Sequence, residues 1–119
     1  MEPPRPYSRM SVSARVLVDG KLQEHGVYEG EVPMTAQQQD LFKEIVGNGL
    51  SKVSVGRDLG EKDFGSGGGV MINVTLTCDQ SAEKIAMAID LAYKTADSYC
   101  WHYQNQIKQQ LIQTGILHP

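Results

Sequence analysis

The residues best equipped for chemistry fall between positions 57 and 69, RDLGEKDFGSGGG. The stretch carries charges at Arg57, Asp58, Glu61, Lys62 and Asp63 and contains five glycines. A loop this long and rich in glycine is expected to be either mobile or functional. Arg57 closes a predicted strand at its start. Arg57, Lys62, Phe64, Gly67 and Gly68 therefore form the candidate site for a partner or an anionic ligand, with Lys52 and the N-terminal arginines within reach. Such a cluster suits a phosphate, a nucleic-acid backbone or an acidic protein surface. Tyr28, Phe64, Tyr93 and Trp101 would stack on bases if exposed. Core packing or ordinary surface is the simpler reading for all of these except Arg57 and Phe64.

Other chemistries fare worse. Gly65-Ser66-Gly67-Gly68-Gly69 resembles a phosphate loop only in composition. A phosphate loop needs backbone amides opening a helix and a following Lys-Ser/Thr pair. Here the loop enters a strand and no lysine follows. No Cys/His spacing fits zinc. Asp58, Glu61 and Asp63 lack the ordered pattern of a calcium loop, so they read as solvated charges. Cys100 and His102 are two residues apart and project from different helix faces, which argues against a nucleophile pair. His25 has no nucleophile or metal ligand beside it. No catalytic residue, metal or cofactor is expected. The net charge is −3, from 11 basic and 14 acidic residues. That argues against a broad basic face for duplex nucleic acid.

The elements that must position this loop follow from patterning. Residues 1–9 hold three prolines and two arginines and read as a flexible arm, with Arg5, Tyr7 and Arg9 available to a neighbour. Residues 11–18 alternate as a strand, with Val12, Ala14, Val16 and Val18 on one face. Asp19-Gly20 signals a hairpin. The returning strand, 22–32, is interrupted by Gly26 and Gly30 and charged by Glu24, Glu29 and Glu31, as suits an edge. Thr35 and Gln38 have capping-box spacing for a short helix to about Val46, ended by Gly47-Asn48-Gly49. Residues 50–57 form a third strand and 70–77 a fourth. In the fourth, Val70, Ile72, Val74 and Leu76 face the core, and Met71, Asn73, Thr75 and Thr77 face water or a ligand.

The rest of the chain is organised around residues 80–112, which contain no Gly or Pro. Good helix formers dominate them, and Asp79 or Ser81 can cap the first turn. At 1.5 Å per residue the helix would be roughly 50 Å long, more than the ~30 Å of a small domain. It is therefore expected to break or to reach beyond its own domain. A fixed 100° step puts Ile85, Ile89, Ala92, Ala96, Tyr99, Cys100, Tyr103, Ile107 and Leu111 on one buried stripe. Met87, Leu91, Trp101 and Ile112 point the other way and are the candidate oligomer interface. The Gln-rich end, 104–113, is easiest to understand packed on another chain. Cys78 and Cys100 read as small buried hydrophobes.

Lys52-Val53-Ser54-Val55-Gly56-Arg57, followed by a loop, a second apolar strand and a helix, resembles a group of small uncharacterised proteins encoded by tailed phages. The resemblance covers residues 52–100. It implies a viral origin and carries no activity. This chain departs from that pattern in its longer Gly-rich loop and Gln-rich helix end.

The sequence thus predicts one α+β domain of order ββαββα over residues 10–119. An antiparallel sheet is covered by the long C-terminal helix and one short helix. The expected function is non-enzymatic: self-association, a dimer being favoured, with a partner or anionic ligand near the Gly-rich loop. Single-stranded nucleic acid bound on the sheet face is the alternative. No apolar run has membrane-spanning length, so a cytoplasmic protein is expected, in the host cytoplasm if viral.

Overall fold

Asp19 and Gly20 turn the chain with φ of 51° and 78°, as a two-residue hairpin requires. They join β1 (Ser8–Val18) to β2 (Lys21–Gly30). The computed structural model describes residues 6–115. After β2 come α1 (Ala36–Val46), β3 (Ser51–Gly60), a short 3-10 turn (Lys62–Phe64), β4 (Gly69–Cys78) and α2 (Ala82–Gln113). The fold is α+β in the order ββαββα. The four strands form one sheet in the order β2-β1-β4-β3, and every neighbouring pair is antiparallel.

Two boundaries differ from expectation by three residues. Ser8 and Arg9 belong to β1, and Tyr7 exchanges hydrogen bonds with Thr77, donating to its hydroxyl at 3.0 Å and accepting from its amide at 2.8 Å. The expected arm is shorter by these residues, and its remainder at 1–5, with Arg5, lies outside the described residues. Likewise β3 runs on to Gly60, pairing Arg57–Gly60 with Ile72–Gly69. The charged Arg57 at an inward position disguised the continuing alternation Val53, Val55, Leu59.

The helices begin where capping chemistry places them. The Thr35 hydroxyl accepts from the Gln38 amide at 3.1 Å, and the Gln38 side chain accepts from the Thr35 amide at 2.9 Å. The Ser81 hydroxyl accepts from the Lys84 amide. Just before it, the Asp79 carboxylate accepts from the amides of Asn48 at 2.8 Å and Ser81 at 3.0 Å. One side chain thus ties the end of α1 to the start of α2. These two backbone bonds hold its pKa below the ordinary carboxylate value.

The core lies between the sheet and the helices. Met10, Val12, Ala14 and Val16 of β1 join Val70, Ile72, Val74 and Leu76 of β4 under α2, with Phe42, Ile45 and Val46 of α1 closing one end. α2 is an unbroken helix of 32 residues. Strands of 10–11 residues run beneath it, and the molecule extends 54 × 24 × 24 Å. The helix does not break, and at 1.5 Å per residue it is longer than the strands beneath it.

The buried row of α2 is Ala88, Ala92, Ala96, Cys100 and Gln104. It advances in steps of four, and each step carries it about 40° round an axis with 100° per residue. The stripe therefore winds along the helix, as a helix over a twisted sheet requires. Its small side chains let the helix backbone approach β3 and β4 about equally, away from β1 and β2.

Two outcomes follow. Ala96→Leu overfills this contact and should lower stability by about 1–3 kcal/mol, read as a lower urea midpoint at unchanged slope. Asp79 has a folded pKa below its unfolded one, so its contribution is present above the unfolded pKa and is lost as pH falls through the lower folded value. Asp79→Asn should therefore flatten the acid limb of a Tm-against-pH profile below about pH 4, and an unchanged acid limb would contradict this.

Candidate functional site

The Gly-rich loop is a packed corner. Phe64 is 1 % exposed, so it offers no ring to a ligand. Gly68 is buried beneath it. A Cβ at Gly68 would stand 2.6 Å from the Phe64 Cβ and 2.9 Å from the Arg15 carbonyl oxygen. Gly65 has φ of 95° and lies against Leu17. The loop also uses its own donors. The amides of Glu61, Asp63, Phe64, Gly65 and Gly68 all donate to acceptors within the loop.

Of the cations expected to serve this loop, Arg57 is engaged elsewhere. Arg57 lies on the helix face of β3, and its Nε donates to Asp97 of α2 at 3.0 Å. Arg15 donates to both oxygens of Asp58, at 2.9 and 3.0 Å, and to the Gly67 carbonyl at 3.2 Å. Lys62 and Gly67 are exposed beside the loop, but Arg57 and Phe64 do not join them there. The acids are likewise taken up in holding α2 down. Glu61 accepts from Gln104, and Asp63 pairs with Lys108. That pair pulls the Asp63 pKa down and the Lys108 pKa up, chiefly through the shared hydrogen bond.

The open face of the sheet is small and polar. Ser54 bonds Asn73 at 2.8 Å and Thr75 at 2.9 Å. Arg9 pairs with Glu29, and Lys52 sits 4.6 Å from the centre of the Tyr7 ring. The thiols are buried, and burial pushes Cys100 up to about 11 and Cys78 upward. Among the described residues no three His, Cys, Asp or Glu side chains gather to hold a metal ion.

Among the described residues, α2 carries three exposed large apolar side chains, while Tyr7, Leu17, Leu22, Leu41, Leu50 and Met71 are exposed elsewhere. Of the four residues expected at an interface, Leu91 is 6 % exposed and belongs to the core. Met87 is half-buried against the core, and Ile112 is half-buried. Only Trp101 stands out, at 51 % exposed. Ile89, expected inside, is 48 % exposed, and Tyr93 is 53 % exposed. The winding of the buried row explains both departures. A fixed 100° stripe centred on the C-terminal half misplaces Ile89 and Leu91 in the N-terminal half.

Ile89, Tyr93, Asp97 and Trp101 are also spaced by four. They form a row one residue on from the buried one, so the two rows wind together. The ion pair of Asp97 with Arg57 fixes the flank on which this row lies. It is the flank next to β3, the sheet edge. The other flank meets β2 near Tyr99 and Tyr103, and beyond them a groove of about 420 Å³ lined by Val16, Val27, Ile107 and Leu111 opens between α2 and the β1–β2 hairpin. Tyr103 stacks on Tyr28 at 6.4 Å, and the Tyr99 hydroxyl donates to the Pro33 carbonyl at 3.2 Å.

No family model matches the chain, and no curated protein or solved structure matches it. Among the described residues no helix is long and apolar enough to cross a membrane.

The loop geometry predicts a contrast between two glycines. Gly68→Ala should destabilise by about 2 kcal/mol or more through steric strain. Gly26→Ala, where an added Cβ meets nothing within 4 Å, should change stability by less than about 0.5 kcal/mol. Paired urea titrations check both, and equal losses would mean the corner is not packed as described.

Proposed function

We propose that this chain is a non-enzymatic interaction protein that associates with itself, as a dimer, through the Ile89, Tyr93 and Trp101 flank of α2. One observation carries the reading: among the described residues, every large exposed apolar side chain of α2 lies on that single row. Single exposed apolar residues are ordinary. Three aligned on one flank, two of them Tyr and Trp, have the composition of an interface core. The resemblance of residues 52–100 to tailed-phage proteins adds a phage origin to the proposal.

The geometry favours this over the other two readings. An anion at the Gly-rich loop would meet few uncommitted amides and the acids Asp58, Glu61 and Asp63. Nucleic acid on the open face would meet Arg9 and Arg15 already paired with carboxylates. Stacking there would find Tyr7 beneath Lys52.

Light scattering tests the proposal. The chain should run at twice 13.1 kDa and dissociate on dilution. Trp101→Ala should raise the dissociation constant at least about tenfold, as loss of an aromatic anchor does. Tyr93→Asp should give a folded monomer with an unchanged far-UV spectrum. A wild-type mass of 13.1 kDa at high concentration would sink the reading.

A further inference from the structure

Among the described residues the sheet edge beside the exposed row is unpaired. The ladder of β3 with β4 runs without a shift from Ser51↔Cys78 to Gly60↔Gly69. Its outer side presents ten residues of regular backbone, and among the described residues no strand lies against it. The opposite edge is different. β2 has a register shift opposite Val12 and Ser13 and carries Glu24 and Glu29. A bulge of this kind keeps an edge from pairing, and β3, though it carries Lys52, Arg57 and Asp58, has none.

We infer that two copies join through β3, antiparallel about a two-fold axis at Val55, into one continuous eight-stranded sheet. The inference rests on the self-association proposed above and names its geometry.

Charge selects the register. With Val55 opposite its own counterpart, Lys52 stands opposite the partner's Asp58, and the axis makes this pair twice. Both residues are exposed and lie on the open face. Arg15 already orients the Asp58 carboxylate and leaves it half exposed. Opposite charges directly across a ladder favour pairing. Moving the axis by one residue would set Ser54 or Gly56 against itself and separate Lys52 from the partner's Asp58.

Spacing supplies the second argument. Strands in a sheet lie about 4.8 Å apart. α2 sits over the boundary of β3 and β4, so the two helices would lie about two strand spacings apart. That is ~9.6 Å, within the 8–10 Å at which helices pack. Asp97 stands over Arg57. Stepping back two strand residues to Val55 covers roughly 6.6 Å, about four helix residues. Tyr93 therefore falls near the axis, with Ile89 and Trp101 on either side of it. The open edge and the exposed row are closed by one operation.

Site-directed crosslinking of the full chain tests the register. In this arrangement Ser54 faces the partner's Gly56, on the exposed face. An added Cβ at Gly56 meets nothing nearer than the Ile72 carbonyl oxygen at 4.0 Å. The native thiols, Cys78 and Cys100, are buried and give little background. Ser54→Cys and Gly56→Cys are made in separate chains, mixed, and treated with a thiol-reactive linker little longer than a disulfide. The mixture should yield covalent dimer several-fold above either chain alone. Dimer from Ser54→Cys alone, or from Gly56→Cys alone, overturns the register. No crosslink in a sample whose mass is dimeric overturns the β3 joint and leaves self-association through α2 standing. A monomeric mass overturns both.

Discussion

The structure depends on how closely α2 approaches the sheet. Ala88, Ala92, Ala96 and Cys100 are all fully buried, and none reaches far from the helix axis. The backbone therefore settles against β3 and β4 rather than over the middle of the sheet. The space left over β1 and β2 takes larger groups of the core, Tyr28, Tyr99, Tyr103 and Ile107, and keeps an open groove lined by Val16, Val27, Ile107 and Leu111. The asymmetry is steric. A row of Leu in place of the Ala row would lift the helix and remove the reason for its offset.

That offset gives the two flanks of α2 different fates. On the β2 side, aromatic stacking and the Tyr99–Pro33 hydrogen bond cover the helix around Tyr99 and Tyr103. On the β3 side no strand among the described residues lies beyond the helix, and Ile89, Tyr93 and Trp101 are exposed. The polar contacts on this flank position the helix more than they stabilise it. Arg57–Asp97 is 30 % and 42 % exposed at its two side chains, so after screening it contributes at most about 1 kcal/mol. Its value lies in register, because it fixes which part of α2 stands over which part of β3.

The Gly-rich stretch shows how composition misleads about chemistry. Glycines that look like a phosphate cradle serve instead to let Phe64, Leu17 and the Arg15 backbone meet at one corner. The same holds for the charges around them. Asp58, Glu61 and Asp63 each hold a partner from another element, namely Arg15, Gln104 and Lys108. Together they fasten the C-terminal half of α2 and the β1–β2 hairpin to the end of β3.

Much of the architecture was legible in the residues alone. Alternation marked β1 and β4, Asp19-Gly20 marked the hairpin, Thr35 and Gln38 marked α1, and the Gly- and Pro-free run marked α2. These signals are local, because each depends on neighbours within a few positions in the chain. What the sequence could not reveal depends on contacts between distant residues. Arg57 read as a ligand group until Asp97, 40 residues away, was brought against it. Phe64 read as a ligand group until the packing of the corner around Gly68 buried it. Leu91 and Ile89 exchanged places because the buried row follows the twist of the sheet, and a period read from one helix contains no information about the surface beneath it. The sequence by itself determined which segments are strands and helices and that α2 must find a large apolar surface. Only the tertiary structure decided that this surface is β3 and β4. Through that offset it left one helix row and one strand edge side by side and uncovered.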